Sequence, residues 1–333
     1  MCRIAAALFG LTLVAFPMLV AFAADEKPAK IVADDPANVK DPDFAVQGEY
    51  VGEIRTQDGV QKFGVQVVAK SGGKFQAVGY LGGLPGDGWN RMEKFPATGE
   101  TKDGVTKLSG ERGSGTIKGG VLTIQDGNGN DIGQLKRTDR KSSTLGTKPP
   151  AGAVVLFDGS TADSFQGGKL TADKLLMQGV TSKQKFGSYT IHLEFRLPYQ
   201  PQDSGQGRGN SGCYLQGRYE VQILDSFGLE GKHNECGGIY SIKDPDQNLC
   251  YPPLAWQTYD IDYTAAEYGP DGKKLKHARM TVRHNGVIVH DNVELPKATT
   301  AAPVPEGPDP GPVYLQDHGN PVRFRNIWVM EKR

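Results

Sequence analysis

From Ser188 to Leu197 every second side chain is apolar: Tyr189, Ile191, Leu193, Phe195 and Leu197 alternate with Thr190, His192, Glu194 and Arg196. A strand turns successive side chains to opposite faces, so this pattern describes a long strand with one face on a core. Trp256 to Thr264 repeats it through Tyr259, Ile261 and Tyr263. Long stretches with helical period are absent, and glycine supplies 44 of 333 residues, about twice the usual share. Such a chain is confined to all-β architectures with many turns.

Shorter strand-like pieces come first: Tyr50 to Thr56, Lys62 to Ala69, Lys74 to Leu81, Val105 to Leu108, Val121 to Ile124 and Ile132 to Lys136. Asp58-Gly59, Gly72-Gly73, Asp103-Gly104 and Gly119-Gly120 mark the turns between them, the chemistry that tight hairpins require. The Gly-rich stretch around Trp89 lacks the Gly-Lys-Ser/Thr ending of a phosphate loop and reads as an exposed loop anchored by that tryptophan. The Ser/Pro-rich stretch before Gly152 then reads as a linker, and a second strand series starts at Val154. Within it, Asn285-Gly286 between Arg279–Arg283 and Val287–Val289 is a hairpin signal. The expected organisation is a leader over 25–44, a small all-β domain over 45–140, a linker over 141–152 and a two-sheet sandwich over 153–333. A chain starting near Pro150 is therefore expected to fold alone.

Residues 1–24 combine Arg3, an apolar run from Ile4 to Val20 and a small-x-small site at Ala21-Phe22-Ala23, followed by Asp25-Glu26-Lys27. They read as a cleaved export signal, leaving no transmembrane segment and a periplasmic or extracellular protein. With 38 basic and 38 acidic residues, the chain carries no electrostatic footprint for nucleic acid or an anionic membrane. Export permits disulfides, and Cys236 and Cys250 flank a Gly/Pro/Asn-rich loop. They are expected to pair, with Cys213 left as a buried thiol. Their spacing is not that of a zinc site.

The strand Tyr219-Glu220-Val221-Gln222-Ile223 carries an acid and an amide on the face opposite its apolar residues. A β-bulge before Asp225 would bring that carboxylate to the same face. The spacing Glu-x-Gln-x-x-Asp echoes the Glu-x-Asp-x-x-Glu strand of laminarinase-like glycosidases, with two of three positions changed.

Six motifs in order, Leu156-Phe157-Asp158-Gly159, Asn210-Ser211-Gly212, Tyr219 to Asp225, Trp256-Gln257-Thr258-Tyr259, Asn285-Gly286, and Leu315 to Gly319 followed by Val322 to Ile327, resemble the 3-keto-disaccharide hydrolase family. The resemblance runs from about Val154 to the C-terminus. It implies a concanavalin-like jelly roll with a sugar cleft, and a partner that is an oxidised mono- or disaccharide glycoside. A ketone at C3 acidifies the C2 proton, so one base and a donor for the enolate oxygen suffice for elimination. Glu220 and His318 are the candidate bases, and Arg323 is the candidate enolate donor. Gln222, Asn210, Trp256 and Gln316 are candidate sugar contacts. No cofactor is required, and Asp225 is a candidate to orient His318 or to hold a divalent cation. Glu220 paired with Arg218 or Arg196, and Arg323 as a cross-strand ion partner, are the plain alternatives. A lectin-like module and a two-carboxylate glycosidase using Glu220 and Asp225 are the rival functions.

Overall fold

The computed structural model describes residues 30–332, so the export signal expected at 1–24 lies outside the described residues. Among the described residues helix is confined to single turns such as α1, Asp43–Val46. No helix among the described residues is long and apolar enough to cross a membrane.

Eight antiparallel strands come first: β1 Gly48–Thr56, β2 Gly59–Ala69, β3 Lys74–Leu81, β4 Lys94–Lys102, β5 Val105–Gly110, β6 Gly113–Lys118, β7 Val121–Asp126 and β8 Asp131–Thr138. They form a closed barrel in sequence order, β8 returning to pair with β1. Closure leaves no edge strand to template aggregation. Two of these strands, β4 and β6, escape the alternation pattern. β4 contains Pro96 and Gly99, and β6 begins Gly113-Ser114-Gly115, residues that weaken a strand signal when read singly. Pro96 falls one position before pairing to β5 begins at Ala97.

The rest of the chain supplies β9 Val154–Phe157, β10 Phe165–Gln166, β11 Leu176–Met177, β12 Val180–Phe186, β13 Tyr189–Arg196, β14 Ser211–Leu215 and β15 Tyr219–Ile223. It continues through β16 Trp256–Thr264, β17 Glu267–Tyr268, β18 Lys274–Lys276, β19 Ala278–His284, β20 Val287–Leu295, β21 Gly311–Leu315 and β22 Arg323–Glu331. One sheet has the order β10-β12-β21-β14-β15, and the other β11-β22-β13-β16-β19-β20 with β9 on β22. These two antiparallel sheets make the jelly-roll sandwich. Asn285 and Gly286 both have positive φ, 52° and 84°, as the two-residue turn joining β19 to β20 demands. Ile191, Leu193, Phe195, Val221, Ile223 and Phe324 are fully buried between the sheets, each worth about 1.5–3 kcal/mol in transfer.

Three of the four residues expected outside on β13, His192, Glu194 and Arg196, are also buried. His192 and Glu194 are 0% and 1% exposed, because the 141–152 stretch lies across them instead of hanging free as a linker. Ser142 Oγ meets Thr258 Oγ1 at 2.6 Å, Thr144 Oγ1 donates to Asp260 Oδ2 at 2.7 Å, and the Gly146 amide donates to Glu194 Oε1 at 2.6 Å. Burial alone would raise the Glu194 pKa, but hydrogen bonds from His192, Asn326, Arg325 and Gly146 hold it at about 2.

The segment expected as a mobile leader is likewise fixed from its described start. Ala33 pairs with Tyr199 through two backbone bonds of 3.1 and 2.7 Å. Asp35 reaches Arg196 at 3.3 Å, and Tyr199 Oη donates to Asp41 Oδ2 at 2.8 Å. Barrel and sandwich share core residues as well: Tyr199 and Leu254 pack with the barrel interior, and Val68 with the sandwich. The Gly-rich loop after β3 is exposed at Gly86 to Gly88 and docked around them. Its Gly86 amide donates to Gln247 at 3.1 Å, and Arg140 donates to Pro85 O at 2.7 Å.

Candidate active site

The β14–β15 hairpin sets the site. Its register places Tyr214 opposite Glu220 and Gly212 opposite Gln222. Since Tyr219, Val221 and Ile223 face the core, Glu220 and Gln222 project together from the other face of the sheet. Loops fold over that face, and Glu220 is only 2% exposed. Tyr214 Oη donates to Glu220 Oε2 at 2.8 Å. With its amide nitrogen toward Glu220, Gln222 donates to Glu220 Oε1 and to Ser211 O, both at 2.9 Å. Gly212 has no side chain because a Cβ there would fall on Glu220 Oε1. Burial raises the Glu220 pKa to about 7, and the Tyr214 hydroxyl opposes that rise without cancelling it.

Further amide side chains back the two residues that hold the carboxyl group. Asn210 donates to Gln206 O at 2.8 Å and lies 3.3 Å from the Gln222 amide. Gln316 donates to Tyr214 Oη at 3.4 Å, and its backbone is held to Gly212 O at 2.9 Å. Thr299, at the start of the Pro-rich loop before β21, accepts from the Glu220 amide at 3.0 Å. One side of the site therefore depends on that loop. Tyr214 and Gln206 are absent from the sequence-derived set. The hairpin register was the signal for Tyr214, since a short turn at Gln216-Gly217 fixes it opposite Glu220.

The structure gathers Glu220, Gln222, Asn210 and Gln316, and it separates the rest. Arg323 lies on β22 of the opposite sheet, and Phe324 beside it points into the core. By alternation Arg323 must leave the far face, where it pairs with Asp34 at 2.5 Å and donates to Gln178 at 2.9 Å. It is an ion partner tying down the N-terminal segment and not the enolate donor. Trp256 is on that far face too, under the guanidinium groups of Arg325 and Arg196 at 3.9 and 5.1 Å, and offers no sugar platform to Glu220. His318 is exposed in the loop between β21 and β22 and makes no hydrogen bond with Glu220. That loop is anchored to the site by Gln316 and by Asn320, whose Oδ1 accepts from the Asn210 amide at 2.9 Å.

Asp225 follows the end of β15 and does not turn to the Glu220 face. Its carboxylate is buried against Arg208 at 2.5 Å, and Arg208 reaches back to Ala69 O of the barrel at 3.3 Å. A carboxylate so engaged neither orients His318 nor is free to serve as a second catalytic acid or a cation ligand. Removing one member of a buried pair strands the other charge at a cost of about 3–5 kcal/mol. Arg208→Met should lose about that much in urea denaturation, and an unchanged midpoint would show the pair to be dispensable.

The expected disulfide is not formed, but its two sulfurs are neighbours: Cys213, Cys236 and Cys250 are all free and buried, with Cys236 and Cys250 in hydrogen-bonding contact with each other. Cys236 Sγ lies 3.2 Å from Tyr259 Oη, and Cys250 Sγ donates to Leu224 O at 3.5 Å and Tyr251 O at 3.4 Å. Burial holds Cys250 protonated. Burial, aided by the Glu220 charge, pushes Cys213 up to about 12.

Residues 152–330 match a family described as the 3-keto-alpha-glucoside-1,2-lyase-like domain. Among solved structures the chain is similar to a candidate glycosyl hydrolase from Parabacteroides distasonis ATCC 8503. The two are 32% identical with a TM-score of 0.51, over 56% of this chain and 86% of that one. A second candidate glycosyl hydrolase from the same organism is 18% identical with a TM-score of 0.41, over 55% of this chain and 94% of that one. No curated protein matches the chain.

Proposed function

The chain belongs to the 3-keto-alpha-glucoside-1,2-lyase-like family, and from that premise we propose that it cleaves 3-keto-glycosides with Glu220 as the base. The observation that carries the reading is a single buried carboxyl group, its pKa raised to about 7, facing amides and a phenol instead of a second carboxylate. A base is most effective when its pKa lies near the working pH.

In this reaction Glu220 takes the proton from C2, and the C–H electron pair forms the enolate with the C3 oxygen. Collapse of the enolate restores the ketone, makes the C1–C2 double bond and expels the C1 oxygen, which takes up the proton held by Glu220. Water then adds across that double bond. With Arg323 on the far sheet, the donor assigned to the C3 and C1 oxygens is the Gln316 side-chain amide, because the Gln222 amide and the Tyr214 hydroxyl already donate to Glu220 and Ser211 O. Two-carboxylate hydrolysis needs a second carboxyl, about 5 Å away for the retaining double displacement or 6.5–9.5 Å away for the inverting single displacement by water, and Asp225 is held by Arg208. We place the protein in the periplasm or outside the cell, residues 1–24 acting as its export signal.

The test pairs each 3-keto-glycoside with its unoxidised parent. The oxidised member should be cleaved and the parent left intact. Equal cleavage of both would favour two-carboxylate hydrolysis, and saturable binding without cleavage of either would favour a lectin-like module.

A further inference from the structure

The barrel is hollow. Eight strands enclose an interior that side chains just fill or that holds one small ligand, and here the filling is missing on one side. Ala77, Gly79, Ala97, Gly110, Gly113 and Gly115 line an apolar cavity of about 340 Å³, closed in by Phe63, Phe95, Leu108 and Leu122. That volume falls at the lower end of the range of small-molecule sites. An unfilled apolar space of this size forfeits packing on every wall, which a ligand would restore.

The cavity has one mouth. At the far end Tyr50, Phe75 and Leu135 are buried, and α1 covers the opening, Tyr50 Oη donating to Val46 O at 2.7 Å and the Gly73 amide to Asp43 Oδ2 at 2.8 Å. The open end lies where Thr56, Glu93, Arg112 and Gln125 line the rim. There Arg112 is spent on Glu93 through two contacts, Nη1 to Oε2 at 2.7 Å and Nη2 to Oε1 at 2.6 Å. Lys94, the other cation of the lining, is held by Glu230 at 2.7 Å, and Glu111 adds a second acid, so both lining cations are already paired and a carboxylate head would meet two acids, whereas an uncharged end disturbs neither pair.

We propose that the barrel is a binding site for one aliphatic chain with an uncharged polar end, separate from the Glu220 face and independent of the reaction there. The test uses the full chain with the fluorescent probe N-phenyl-1-naphthylamine, displaced by n-decanol or by n-decanoate. One saturable probe site is expected, with decanol the better competitor. Ala77→Leu and Ala97→Leu should each weaken the probe by about tenfold or more while 3-keto-glycoside cleavage is unchanged. Crystals of the unaltered chain soaked with bromine-substituted decanol should show the anomalous signal inside the barrel, a result that needs no variant to fold. Absence of saturable binding, undiminished binding in both filled variants, or bromine placed elsewhere would overturn the proposal. Decanoate binding more tightly than decanol would overturn the assignment of an uncharged end.

Discussion

Glu220→Gln should abolish cleavage of 3-keto-glycosides and yet yield a protein more stable than the parent in alkaline buffer. Losing a general base typically costs about 10²- to 10⁴-fold in rate, and glutamine keeps the size of the side chain and one of its two acceptor oxygens while removing the base. The stability effect follows from linkage. Burial raises the folded-state pKa of Glu220 from 4.5 to about 7, so the folded protein holds this proton more tightly than the unfolded chain. The stability it contributes is fully present below about pH 4.5, declines as pH rises, and is lost above about pH 7. Glutamine has no such dependence. The difference between variant and parent should grow by on the order of 3 kcal/mol between pH 4 and pH 8, read from denaturant midpoints at each pH. A pH-independent difference would mean that Glu220 is not the buried, proton-holding group described here.

A chain beginning at Pro150 should fail to fold cooperatively, contrary to what the sequence alone suggests. It lacks Ser142, Thr144 and Gly146, which satisfy Thr258, Asp260 and Glu194, and Asp34 and Asp35, which neutralise Arg323 and Arg196. Each buried polar group left without a partner costs about 1–3 kcal/mol, more if charged. Several such losses equal the whole stability of a typical domain, about 5–15 kcal/mol. Loss of the barrel also uncovers Tyr199 and Leu254. Calorimetry of the shortened chain should show no sharp transition; one within a few degrees of the full chain would overturn this.

Both effects arise from contacts that the sequence pattern reports poorly. Strand periodicity is local, so β13, β16, the β19–β20 hairpin and the outward aim of Glu220 and Gln222 were legible from single runs of residues. What covers a face is decided by chain far away. Nothing near His192 or Glu194 indicates that residues 142–147 will seal them, and a Ser/Pro-rich composition suits a docked segment as well as a tether. Assignment of a residue to one sheet or the other is also non-local. Arg323 and Glu220 both alternate away from apolar neighbours, but β22 and β15 belong to opposite sheets, which their local sequences do not distinguish. Tyr214 was reachable by pairing the short hairpin, whereas Gln206 comes from a loop whose path follows from tertiary bonds to Asn210 and Asn234. The barrel strands β4 and β6 were hidden by the glycine and proline content that also hollows the barrel.

The central claim is that Glu220 removes the C2 proton of a 3-keto sugar. Proton NMR of a 3-keto-glycoside incubated with the protein in D₂O tests it directly. Released sugar should carry deuterium at C2, with protium at C2 confined to unreacted substrate or lost there by exchange, and Glu220→Gln should show neither release nor exchange. Release of a sugar that retains its C2 proton would contradict the account, because the bond would then have broken without proton removal at C2.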